Sequence, residues 1–137
     1  MSFDYLSDIF GKFRKRETRF SDVESRAIWL IKAFVAGEIK DREFANEFNE
    51  IGNEFQRLTE VNGEITFDED TPLWLNMFLG NHFIGWYKYQ QLKWYFEEHP
   101  EELTGAYRAR YARIQSMGYD ERFQETCKNV LKEVGEI

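Results

Sequence analysis

The sequence predicts an all-α fold: a compact bundle of five or six helices, with one short β-hairpin or an ordered turn near residues 59–67. Three observations carry this. Apolar residues recur at three- and four-residue spacing in several separate stretches. Serine, threonine, aspartate and glycine stand where helices would start and stop. Two prolines and nine glycines in 137 residues are too few for a loop-built all-β chain. With 42% hydrophobic and 31% charged residues, the chain has the apolar material to form a core, which argues against disorder.

Residues 1–20 stand apart in charge. Five basic residues (Lys12, Arg14, Lys15, Arg16, Arg19) face Asp4, Asp8 and Glu17, a balance of +2 that leaves −9 for the rest. Phe3, Leu6, Phe10 and Phe13 keep helical spacing, with Gly11 interrupting, so the segment reads as an amphipathic, basic terminus. It is expected to dock or fray, with weak contact to an anionic membrane surface as the alternative. Residues 21–137 are expected to form one helical domain.

Within that domain, Ser21-Asp22-Val23-Glu24 fits a capping box, and a mostly apolar helix through Trp29 and Val35 should stop at Gly37. Asp41 is the expected cap of a second helix, whose Phe44, Phe48, Ile51 and Phe55 follow a 4-3-4 spacing. Asn62-Gly63 between two β-compatible stretches is a hairpin signal. Thr71 is then the expected cap, and Pro72 the first residue, of a third helix. An aromatic-dense region from Trp74 to Phe96 follows, with Gly80 and Gly85 expected to break or kink it, and His99-Pro100 ends it. Residues 101–117 are expected to form a helix with Tyr107, Tyr111, Ile114 and Met117 spaced four, three and three apart, stopped by Gly118, and Asp120 is the expected cap of a last one that carries Phe123, Cys127, Val130, Leu131 and Val134.

Several function classes lack their residues. One cysteine, Cys127, supports neither an internal disulfide nor a cysteine-based zinc site. The first 20 residues have no secretory pattern, and Leu73–Tyr87, broken by Asn76, Asn81 and His82, is shorter than the roughly 20 residues of a membrane span. A cytoplasmic location is the expectation. His82 and His99 lack a glutamate three residues before them, and no Walker loop, nucleophile elbow or dinucleotide fingerprint occurs. The sequence therefore reads as a non-enzyme with no catalytic, metal or cofactor residue. The aromatic region 74–96, with His82, is the alternative site for a small molecule or haem, against the reading that its rings are core. Tyr107, Arg108, Arg110, Tyr111 and Arg113 interleave base and ring as single-strand nucleic-acid binders do, but Glu97, Glu98, Glu101 and Glu102 upstream are their expected partners. The acidity of the chain counts against nucleic acid.

The acidic stretch is more informative. Residues 38–70 hold eleven acids against Lys40, Arg42 and Arg57, more than the whole chain's excess of −7. Glu43, Glu47, Glu50 and Glu54 repeat the spacing of the apolar stripe one residue earlier, about 100° round the helix. Like charges so spaced cost an isolated helix about 0.2–0.5 kcal/mol per pair. Either they form a solvated face, or they dock on a basic partner.

The segment Leu30–Phe48, with Ile31, Phe34, Gly37 and Ile39 followed by Asp41 and Phe44, resembles the opening helical hairpin of colicin D-type immunity proteins and of related immunity proteins of bacterial contact-dependent growth inhibition. The chain departs from the short form of that family in its length, its basic terminus and its tryptophan-rich middle. The resemblance implies a small acidic bundle that covers the basic active site of a cognate toxin, often a tRNA-cleaving nuclease. It thus implies a use for the glutamate ladder. The expected docking residues are Glu43, Glu47, Glu50, Glu54 and the Asp68-Glu69-Asp70 run, with one exposed aromatic, Trp74, as the anchor, since interface energy concentrates in Trp, Tyr and Arg. An inhibitor that mimics nucleic acid by its charge would share this surface.

Overall fold

The computed structural model describes residues 17–136, so the N-terminal amphipathic expectation lies almost wholly outside the described residues. Six α-helices follow in order: α1 (Ser21–Val35), α2 (Asp41–Thr59), α3 (Leu73–Phe78), α4 (Ile84–Glu98), α5 (Gly105–Gln115) and α6 (Tyr119–Glu133). The fold is predominantly helical, as the spacing predicts. Between α2 and α3, β1 (Glu60–Val61) and β2 (Glu64–Ile65) pair antiparallel, Glu60 opposite Ile65 and Val61 opposite Glu64. The two-residue loop is Asn62-Gly63, both at positive φ, so the hairpin signal resolves into a hairpin.

The stops fall where glycine is needed. Gly37 sits at φ +76°, and the Glu38 N–H reaches back to Ala33 O at 2.8 Å, closing α1. The starts differ from expectation at every cap, and α5 begins at Gly105 rather than at 101, because Pro100–Glu102 forms a 3-10 turn and Thr104 is extended. Phe20, completely buried against Phe55, pins the chain so that α1 begins at Ser21, whose hydroxyl accepts from the Thr18 N–H instead of capping. Lys40, in extended conformation, precedes α2, and Asp41 is its first helical residue. Pro72 precedes α3, while the Thr71 hydroxyl accepts from the Asp68 N–H at 3.0 Å. Gly118, left-handed at φ +69°, precedes α6, and Asp120 lies inside the helix. There its carboxylate accepts from Trp86 Nε1 at 2.9 Å and Gln90 Nε2 at 2.6 Å, so buried donors have taken the expected cap inward.

Gly80 and Gly85 do not break the chain. α3 runs into α4 through a π-helical turn at Leu79–Phe83, with helical backbone on both sides. One extra residue per turn is absorbed there, and such turns recur at functional sites. The aromatic region is mostly core: Phe78, Phe83 and Trp86 are buried, and Trp86 stacks on Phe123 with centroids 4.3 Å apart. Phe44 lies at the centre, against Phe34, Phe48, Trp86 and Phe123.

Candidate acidic docking surface

Helix α2 presents three faces, each set by register on one stripe. Phe44, Phe48, Ile51 and Phe55 are buried. One residue earlier, Glu43, Glu47 and Glu50 are exposed and form no ion pair among the described residues. One residue later, Asn49, Gly52 and Gln56 line a groove. At about 100° per residue the ladder and the groove occupy opposite flanks of the buried stripe.

The structure divides the sequence-predicted acids into two groups. Glu54, at the end of the ladder, pairs with Arg26 of α1, which also bonds Asp22 at 3.0 Å. The hydrogen bond that Arg26 donates to Glu54 is the main cause of the raised Arg26 pKa. Asp68 pairs with Arg19 at 3.1 Å. Its desolvation raises its pKa, but the Asp70 N–H, the Arg19 guanidinium and the Thr71 hydroxyl outweigh that and hold it below the usual carboxylate value. These two acids are engaged within the fold, by arginines that lie N-terminal to them in the chain. Glu69 is exposed and Asp70 half-buried, both in the loop before α3. The run 68–70 is thus partly structural, and only Glu43, Glu47 and Glu50 form a continuous exposed ladder.

Trp74 is not the exposed anchor. It is half-buried, packs on the core and donates from Nε1 to Glu24 Oε2 at 2.6 Å. The exposed tryptophan is Trp29, with 62% of its surface accessible. Helical periodicity could have found it, because Trp29 lies about 200° from Ala27 on the wheel of α1, opposite the buried set. Three residues from Arg26 on α1, it advances the same way as the four residues from Glu54 to Glu50 on antiparallel α2. The Arg26–Glu54 pair fixes that register and sets Trp29 at about the level of Glu50 along the neighbouring helix.

The remaining charged groups sort differently from expectation. Arg42 stacks over the Trp94 ring at 4.8 Å and pairs with Glu98 at 3.3 Å. The Tyr95 hydroxyl donates to Glu102 at 2.6 Å. The expected pairing of the α5 arginines with Glu97, Glu98, Glu101 and Glu102 is absent among the described residues. Arg108 donates instead to Leu103 O at 3.2 Å, and Arg110 and Arg113 form no ion pair. His82 is exposed, and among the described residues no group of three or more His, Cys, Asp or Glu could hold a metal ion. No helix among the described residues is long and apolar enough to cross a membrane.

Comparison of the chain with family models, with curated proteins and with solved structures finds no match.

Proposed function

We propose that this protein is a non-catalytic immunity or inhibitor protein that binds a basic protein toxin, a nuclease in the reading its sequence resemblance implies, through the α2 glutamate ladder. One observation supports this above the others. Glu43, Glu47 and Glu50 stay exposed and unpaired among the described residues, while nearby Glu54 and Asp68 are neutralised by Arg26 and Arg19. A ladder of like charges costs helix stability that alternating lysines would have regained, so its retention on a core-anchored helix suits a partner of opposite sign. Trp29, at about the level of Glu50 along the neighbouring helix, supplies the large apolar side chain in which interface energy concentrates, the role the sequence reading gave to Trp74. Reversing Glu47 and Glu50 to lysine slows association with the toxin by a factor that shrinks as salt rises, with the fold intact. Unchanged association would remove the ladder from the interface.

A further inference from the structure

The opposite flank of α2 carries a second surface that owes nothing to the ladder. A groove of about 370 Å³ runs between α2, the hairpin and the π-helical turn. None of its lining residues is charged, in a chain that is 31% charged. Its floor is Phe55, Leu79 and Phe83, and its rim carries Ile65 and Phe67, 63% and 56% exposed. At Gly52 the helix comes close to this floor: a Cβ there would lie 3.4 Å from Leu79 Cδ2, in van der Waals contact.

Four side-chain amides, those of Asn49, Asn53, Gln56 and Asn76, converge on this groove, and none makes a side-chain hydrogen bond among the described residues. Each amide offers both donor and acceptor, the pair of functions that peptide backbone presents at every residue. Asn49, Asn53 and Gln56 are spaced four and three apart, about 10 Å along the helix axis, the length of about three extended residues. Cross-strand pairing sets Glu60 on the same hairpin face as Ile65, so the apolar rim has beside it an exposed acid that forms no ion pair among the described residues.

We infer that this groove binds an extended peptide segment of a protein partner, with apolar side chains at alternate positions and a basic residue flanking them. The amides read its main chain, the floor takes its apolar side chains and Glu60 meets the flanking cation. This goes beyond the ladder reading and stands without it, because the two surfaces lie on opposite flanks.

The test is side-chain amide NMR on the full-length protein, titrated with pools of capped heptapeptides. These carry lysine at both ends, Val, Leu, Ile or Phe at positions two, four and six, and alanine between. The expected result is saturable shifts at the Asn49, Asn53, Gln56 and Asn76 amides. Binding is expected to weaken about tenfold in Ile84→Asp, a groove-wall variant at an exposed position, and about tenfold when serine replaces the apolar residues. Absence of saturable shifts with every pool, or equal binding of the serine pools, overturns the inference. So do NOEs from residues 1–16 to these amides, or shifts that change on dilution, since they would give the groove to the chain itself or to a second copy. The Glu47→Lys/Glu50→Lys variant is expected to bind the pools unchanged, which separates failure here from failure of the ladder.

Discussion

Helices α2 and α5 both place apolar residues at helical spacing beside charges of one sign, yet the fold holds them in opposite ways. α2 buries Phe44, Ala45, Phe48, Ile51, Phe55 and Thr59, so its glutamates project from a helix locked into the core. α5 buries Tyr111 alone, against Phe96, and its arginines project from a helix held by that ring and the half-buried Ile114. Charge of either sign makes a field, but a rigid helix also pays less ordering entropy when a partner arrives. The ladder stands on the more deeply anchored of the two helices.

The largest effect that would break this contrast comes from the core. Phe44→Ala should cost about 3–5 kcal/mol in a denaturant titration, because Phe44 meets rings from α1, α2, α4 and α6. Tyr111→Ala should cost about half as much or less, while hydrogen exchange loses protection across α5 alone. Equal losses for the two would mean that α5 is as integral as α2.

Smaller effects sharpen the comparison. Burial pushes the Cys127 thiol up and encloses it completely, so a thiol reagent should label the native protein only as fast as the fold opens. The Asp68 carboxyl, held low, stabilises its contact with Arg19 above the unfolded value of 3.8. That contribution is lost as pH falls through the lower folded value. The Arg19 Nε–H resonance, whose proton is donated to Leu58 O, should follow that titration, and Asp68→Asn should abolish the dependence.

The helices and their stops were legible because periodicity and a left-handed glycine are local signals, as Gly37 and Gly118 show. The starts were not. Three of the expected caps, Ser21, Thr71 and Asp120, are engaged by contacts from elsewhere in the chain or in their own loop, the Thr18 and Asp68 N–H groups and the Trp86 and Gln90 side chains, while Asp41 lies one residue inside its helix. The ladder was legible as a pattern, but its division was not, because Arg26 and Arg19 reach Glu54 and Asp68 across 28 and 49 residues. The tryptophan was misassigned for the same reason: Glu24 draws Trp74 inward, and the wheel of α1 leaves Trp29 out.

The most direct test of the ladder as a docking surface is co-expression with the product of the neighbouring gene. Growth and co-purification would be measured for the wild-type protein and for Glu47→Lys/Glu50→Lys. The account predicts toxicity of that product alone, rescue with a stable complex by the wild type, and loss of rescue by the reversed pair at unchanged thermal stability. Full rescue by the reversed pair, or no toxicity and no complex at all, would contradict it.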